Sequence, residues 1–416
     1  MRLRWIGFIL IAGAIFMLLV VFYQNSRRTI VPLDFSTIAL LNSTWQNYQK
    51  QYLEPNDLRT LDPSRGSITT SEGQGYTMLR AVWVGDKNVF DTEDAWTKNN
   101  LQHKNDHLFS WLFGKRPDGS YGVLTTQGGD NTATDGDTDI ALALVMAYSR
   151  WQDPQYLGDA RNIMRDIWAK EVITVKGIPY LATDSSQKTQ TSATFTVNPS
   201  YFEPYAYRIF AEVDPNDPWN QLIDSSYSVT RQSMNLNLDS TATAKIPPDW
   251  INLNRTTAAL TAPIASATST INTAHTTNFG YDALRVPFRL ALDYSWYKDP
   301  RDKELLDQMS FLSDTYNAGG RLNATYTHDG SIAPSYQYES ASMYGATIGY
   351  FMVSDPALAT TVYNDKLLYL YDPNTNAWKQ LLSYYDDNWA WFGIALYKGQ
   401  LPNLTASVPA HVLLTQ

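Results

Sequence analysis

Hydrophobic residues recur three and four positions apart through most of this chain. Ile140, Leu144, Ala147, Tyr148 and Trp151 keep that spacing up to Asp153-Pro154. Beyond it Ala160, Ile163, Met164, Ile167 and Trp168 resume it, so two helices meet at a tight turn. The same Asp-Pro punctuation appears at Asp217-Pro218, Asp299-Pro300 and Asp355-Pro356. Asp is a favoured N-cap, and Pro suits the first helical position because the N–H it lacks would have no partner there. A fifth turn, with Asp91 as the expected cap, separates 70–84 from 92–103.

The periodic stretches predict twelve helices: 35–54, 70–84, 92–103, 139–152, 155–170, 200–212, 218–235, 281–297, 300–315, 338–353, 356–370 and 384–398. No run of alternating strands competes with them. Repeat identity is too poor, and hairpin spacing too uneven, for a regular solenoid. The expected fold is therefore all-α, an (α/α)6 toroid of six helical hairpins. Its even-numbered helices are the more apolar ones and carry Gly and Ala, as an inner ring would. All six would then run parallel, with their N-termini at one end. Residues 236–278, rich in Thr, Ser, Ala and Asn, read as a long surface loop with local order near Pro247-Pro248-Asp249-Trp250.

The N-terminus differs. Residues 5–23 carry no charge and are flanked by Arg2, Arg4, Arg27 and Arg28. A helix of that length reaches roughly 30 Å, enough to cross the hydrocarbon core. The run is longer than a signal-peptide core, and Phe22-Tyr23-Gln24-Asn25 offers no small-x-small cleavage site. The expectation is an uncleaved transmembrane helix, with 1–30 as membrane anchor and 31–416 as the helical-toroid domain. The short N-terminal tail favours an N-inside topology, which puts the domain outside the cytoplasm.

Composition narrows the chemistry. The net charge of −9 argues against nucleic acid as a partner. With no Cys in the 416 residues, disulfides, thiolate metal sites and Cys nucleophiles are excluded; five His without HExxH-type spacing suggest no metal ligands. Aromatics reach 13%, with 13 Trp and 27 Tyr, which suits surfaces that stack on sugars as well as a core.

Acids and aromatics gather at the six N-termini expected on one face: Ser71-Glu72, Asp135-Gly136-Asp137-Thr138-Asp139, Pro199-Ser200-Tyr201, Tyr281-Asp282, Tyr338-Glu339 and Tyr384-Tyr385-Asp386-Asp387. Helix capping alone explains any single one of them. A calcium loop does not explain the second, because the EF-hand glycine and closing glutamate would fall at Ile140 and Met146. Convergence of carboxyl groups in a concave mouth is what glycoside hydrolysis requires, one to protonate the leaving oxygen and one to activate water or attack the sugar. Mutual repulsion among Asp135, Asp137 and Asp139 would raise nearby pKa values and help keep Glu72 protonated.

At these residues the sequence resembles glycoside hydrolase family 8. The nineteen positions Ala133–Trp151 fit the family signature, and Ser71–Tyr76 and Tyr281–Pro287 resemble the segments bearing its general acid and general base. The likeness spans roughly 35–400. It implies an (α/α)6 barrel acting with inversion and without a metal or cofactor. It also implies Glu72 as acid, Asp282 as base and Asp135 as the residue holding the central sugar. Tyr201 and Arg285 would place the water and orient the base; Trp111, Tyr384 and Tyr385 would contact sugar. The anchor and the 236–278 loop depart from a typical secreted cellulase of the family.

The resulting expectation is an inverting, endo-acting hydrolase of a β-1,4-linked polysaccharide, cellulose first. It would act at the cell surface, beside an exopolysaccharide synthesis or export machinery. A non-catalytic polysaccharide-binding or assembly protein on the same fold is the alternative. A lyase is third, disfavoured by the acidic balance.

Overall fold

The computed structural model describes residues 35–263 and 275–407. The expected anchor at 1–30 lies outside them. Among the described residues no helix is long and apolar enough to cross a membrane. The chain divides into two compact units, Met1–Ile38 and Ala39–Gln416, and the site described below belongs to the second.

Six helices form an inner ring: α1 (Ser71–Val84), α2 (Thr134–Trp151), α3 (Pro204–Val213), α4 (Arg285–Tyr297), α5 (Ala341–Ser354) and α6 (Tyr384–Tyr397). Each packs on the next in chain order. The ring closes from α6 back to α1 through the buried Arg80, which donates to Asp387 and Asn388 at 3.0 Å each, and through Tyr76 set edge-on to Trp389 and Phe392. Outside them, Lys87–Asn100 packs on α1, Pro154–Glu171 on α2, Trp219–Asn235 on α3, Pro300–Gln308 on α4 and Pro356–Val362 on α5. The Phe35–Tyr52 helix meets α6, where the Trp391 indole donates to the Leu41 carbonyl.

Burial separates the two rings. Helix α2 is buried without a break from Thr134 to Tyr148, whereas its partner Pro154–Glu171 buries only a stripe that includes Tyr156, Ala160, Ile163, Met164 and Ile167. An all-round buried helix needs small residues where backbones touch. A Cβ on Gly345 of α5 would sit 2.0 Å from the Trp389 carbonyl oxygen of α6. A Cβ on Gly136 of α2 would sit 2.5 Å from Ser71 Oγ and 2.9 Å from the Glu72 nitrogen. Gly136 thus lets the acidic start of α2 press against the start of α1.

Several boundaries differ from the sequence reading. Asp153, Asp299 and Asp355 cap their helices as expected. Asp217 does not: the helix begins at Trp219 without a side-chain cap, and Asp217 is instead held against Asp214, which together with burial raises it to about 6. Asp86, not Asp91, caps the helix that starts at Lys87. The acid-rich stretch expected to precede α2 forms its first turns, consistent with the preference of carboxylates for the positive end of a helix. The helices expected from 200, 281 and 338 begin at Pro204, Arg285 and Ala341. The stretch 300–315 breaks into two helices at Met309-Ser310, and 356–370 passes from α-helix through a π turn into a 3-10 turn.

Short antiparallel strands, unanticipated in the sequence, pin the connections. Thr69–Thr70, Leu112–Lys115 and Tyr121–Val123 make one sheet beside the start of α1. Thr194–Val197, Ile251–Asn254 and Leu260–Thr261 make another, with Val197 opposite Ile251. The segment read as a loosely ordered loop therefore contributes strands and, as shown next, part of the site.

Candidate active site

Strand Thr69–Thr70 runs directly into α1, and Thr70 Oγ1 accepts from the Gly73 N–H at 3.0 Å as the N-cap. This fixes Glu72 in the first turn, with 24% of its side chain exposed. Asp135, in the first turn of α2, lies beside it and is almost wholly buried.

Both carboxylates meet one cation. Arg285, the first residue of α4 and 1% exposed, donates from Nη1 to Glu72 Oε2 at 3.0 Å and to Asp135 Oδ2 at 2.8 Å. Its Nη2 donates to Asp282 Oδ1 at 2.6 Å and to Ser200 Oγ at 2.8 Å. Because a single rigid guanidinium spans them, the bonded oxygens of Glu72 and Asp282 lie no more than roughly 8 Å apart. One cation cannot neutralise three anions in a poorly solvated site, so a proton on one of the acids is the least costly relief. Burial lifts Glu72 to about 7, Arg285 opposing and Asp135 and Asp282 reinforcing the shift. Asp282 is also raised, by burial first, with Arg285 again opposing. The site thus holds one carboxyl that keeps its proton close to neutrality and, across the same guanidinium, a second that can accept one.

Asp282 is not on a helix. It sits in the turn Gly280–Leu284 that leads into α4. The carboxyl group of Asp249, which burial and the nearby Asp282 push up to about 8 against the pull of its backbone donors, holds this turn: its Oδ1 accepts from the backbone N–H of Ala283 at 2.7 Å, Gly280 at 3.1 Å and Asp282 at 3.2 Å. Asp249 comes from the Pro-Pro-Asp-Trp stretch of 236–278.

These groups open into a cleft of about 530 Å³. Glu72, Asp135 and Asp282 line it together with Trp111, Tyr201 and Trp250. The Tyr201 ring faces the Arg285 guanidinium at 5.2 Å. Trp250 lies edge-on to Tyr201 and stacks on His275 with ring centroids 4.2 Å apart. The Trp111 indole donates to the Gly128 carbonyl, which anchors its ring at the cleft wall.

Of the residues singled out in the sequence, Glu72, Asp135, Asp282, Tyr201 and Trp111 share this cleft, and Arg285 lies at their centre. Tyr384 and Tyr385 do not line it. Tyr384 is 5% exposed, packed against Tyr52 and the backbone at Gly73, and Tyr385 donates its hydroxyl to the Tyr281 carbonyl. Their helix turns both rings toward the core and the neighbouring turn. The acids of the 135–139 cluster also part company, because successive helical residues point in different directions. Asp137 accepts from the Phe109 N–H and is held against Glu171; Asp139 faces Arg289 and Glu203 inside the ring. Their repulsion is not the main cause of the raised Glu72: burial is, with Asp135 and Asp282 contributing. The sequence reading missed Asp249, Trp250 and His275 as site residues, although Pro247-Pro248-Asp249-Trp250 stood out as local order.

A ring of helical hairpins that presents carboxyl groups from one end into an aromatic cleft defines a helical-barrel protein with an acid–base site. The chain belongs to the glycosyl hydrolases family 8, whose pattern matches residues 28–379, and so to a family of glycoside hydrolases. It is 31% identical over 306 residues to "Endoglucanase 2" of Ruminiclostridium josui, covering 69% of this chain and 59% of that protein. It is 33% identical over 244 residues to "Probable endoglucanase" of Novacetimonas hansenii, covering 58% and 64%. The chain thus spans about three fifths of the length of these curated relatives. Among solved structures, the endo-1,4-D-glucanase from Vibrio fischeri ES114 superposes with a TM-score of 0.69 at 24% identity, over 85% of this chain and 94% of that one. The beta-1,3-1,4-glucanase from Paenibacillus sp. X4 gives 0.71 at 22%, over 89% and 95%. At these identities the likeness is one of fold.

Proposed function

We propose that this protein is an inverting, endo-acting glycoside hydrolase that cleaves a β-1,4-linked polysaccharide, cellulose or a related β-glucan before other polymers. The observation that carries this reading is the meeting of Glu72, Asp135 and Asp282 on Arg285 in one aromatic cleft. In this reading Glu72 donates its proton to the glycosidic oxygen as the bond to the anomeric carbon breaks. Asp282 takes a proton from a water attacking that carbon from the opposite face. Asp135 holds the sugar between them. The limit of roughly 8 Å set by Arg285 is compatible with the spacing of about 6.5–9.5 Å that leaves room for a water in inverting enzymes. The names of the relatives, endoglucanases, favour β-glucan.

The apolar run 5–23 supports a single-pass anchor with the barrel outside the cytoplasm, where it would trim or release a polymer during export. The deciding experiment is reducing-sugar release from carboxymethyl-cellulose, mixed-linkage glucan, xylan and chitosan by wild type and Glu72→Gln, with the anomer of the first product followed by NMR. Release of the inverted anomer by wild type alone is the expected result. Binding without release would favour a non-catalytic polysaccharide-binding protein. Membrane pelleting of the full chain, compared with a chain starting at residue 31, tests the anchor.

A further inference from the structure

Resting on the assignment of Asp282 as base, we infer that Asp249 is a positioning residue that holds Asp282 at its working place through the backbone, without touching substrate itself. Asp282 lies on the turn before α4, where its carbonyl accepts from the Arg285 N–H at 3.1 Å and the Leu284 N–H reaches the Gly280 carbonyl at 3.0 Å, but its own N–H and those of Gly280 and Ala283 look outside the turn for an acceptor. Three backbone donors of the turn, from Gly280, Asp282 and Ala283, converge on Asp249 Oδ1. The grip is mutual: the Asp249 N–H donates to the Asn278 carbonyl at 2.6 Å, and the Trp250 N–H to the Thr276 carbonyl at 3.0 Å. The turn carrying the base is thereby stitched to the strand entering at Ile251 and anchored opposite Val197.

Asp249 is 7% exposed and does not line the cleft, whereas its neighbour Trp250 does. Gly280 is part of the device. A Cβ there would lie 2.8 Å from Asp249 Oδ2 and 3.2 Å from Thr325 Cγ2, so any side chain at this position has to push the Asp249 carboxyl group aside. An aspartate serves here because one oxygen accepts several N–H groups at once, which an aliphatic residue cannot do and which leaves no buried amide unsatisfied.

The test is a kinetic cycle on the intact protein, with whichever polymer wild type cleaves. Asp249→Ala is expected to lower kcat by about a hundredfold while KM stays within about twofold, since a displaced base fails in the transition state and not in binding. Asp249→Asn, which keeps the accepting oxygen, is expected to recover most of that loss. Gly280→Ala pushes at the same turn with Asp249 itself unchanged and is expected to reproduce the kcat defect. In an Asp282→Ala background all three changes should have almost no further effect, because there is no base left to misplace. Effects of Asp249→Ala and Asp282→Ala that multiply, or wild-type kcat in both Asp249→Ala and Gly280→Ala, would overturn the inference. If Asp249→Ala does not fold, as judged by circular dichroism and thermal melting, the Gly280→Ala, Asp249→Asn and Asp282→Ala set decides by the same criterion. Wild-type activity in Asp282→Ala would remove the base assignment instead, a result separable from failure of the clamp.

Discussion

The two walls of the cleft are built differently. On the acid wall, Glu72 and Asp135 stand in the first turns of two inner helices that touch at Gly136, and each is fixed by the helix that carries it. On the base wall, Asp282 stands in a turn whose backbone is fixed by a carboxyl group 33 positions earlier in the chain. Arg285 is the only residue bonded to the acids of both walls among the described hydrogen bonds and ion pairs. A helix supplies its own geometry locally, so the acid wall tolerates the loss of a single contact. The base wall depends on a few long-range bonds, so one loss moves the reacting group.

That contrast can be tested from its strongest consequence downward. Glu72→Gln and Asp282→Asn should each remove about 3–6 kcal/mol of transition-state stabilisation, or roughly 10² to 10⁴ in kcat, measured by reducing-sugar release. Near-normal turnover in either would detach that wall from the chemistry.

Arg285→Met strips the shared cation from three carboxylates and should cost about 3–5 kcal/mol of stability, read as a fall in melting temperature. Because Arg285 pulls Glu72 and Asp282 down, its loss should also move both limbs of the pH–rate profile upward. Lysine should not rescue it, since an ammonium lacks the planar fork that reaches both walls.

The acid wall sets the alkaline limb. As the proposed acid, Glu72 has to be protonated to act, and its carboxyl is raised to about 7, so kcat/KM should fall roughly tenfold per pH unit above that point. As the proposed base, Asp282 has to be ionised and should set the acidic limb; being raised, it should begin to fail above the usual aspartate range as pH drops. In Glu72→Gln the alkaline limb should vanish while the acidic one persists. A profile unchanged by that substitution would assign the limb elsewhere.

The smallest effect concerns the local support of the acid. Thr70→Ala removes the cap of α1 and should cost about 1 kcal/mol of stability. Its kcat should drop by less than about tenfold, because the remaining turns of α1 still hold Glu72. A loss as large as that of Asp249→Ala would erase the distinction between the walls.

The acid wall was the readable one. Hydrophobic spacing predicted helices at 70–84 and 139–152, and their apolar, Gly- and Ala-bearing character predicted the inner ring. The acidic start of α2 stood in the sequence at a helix N-terminus, yet the helix was placed from 139 and not from Thr134, because its polar first turns lack the hydrophobic spacing that marks a helix. On the base wall Asp282 was visible, but Asp249 was not. Nothing in a Thr- and Ser-rich segment without periodicity indicates that one carboxyl group folds onto the turn of Asp282, 33 positions later. Tyr384 and Tyr385 stand outside the cleft lining for a related reason. Adjacent aromatics at a helix start promise a sugar platform, and only the packing of α6 against its neighbours shows that the first is core and the second a strut for Tyr281.

By itself the amino-acid order determined what short-range forces can encode: helix periods, Asp-Pro caps, the small residues of the inner ring and the stretches that carry Glu72, Asp135 and Asp282. Tertiary structure alone decided which acids face one cation, which are buried apart, and where a helix-free base is held. Those outcomes depend on side-chain direction and on hydrogen bonds between distant segments, which exist only once the ring has closed.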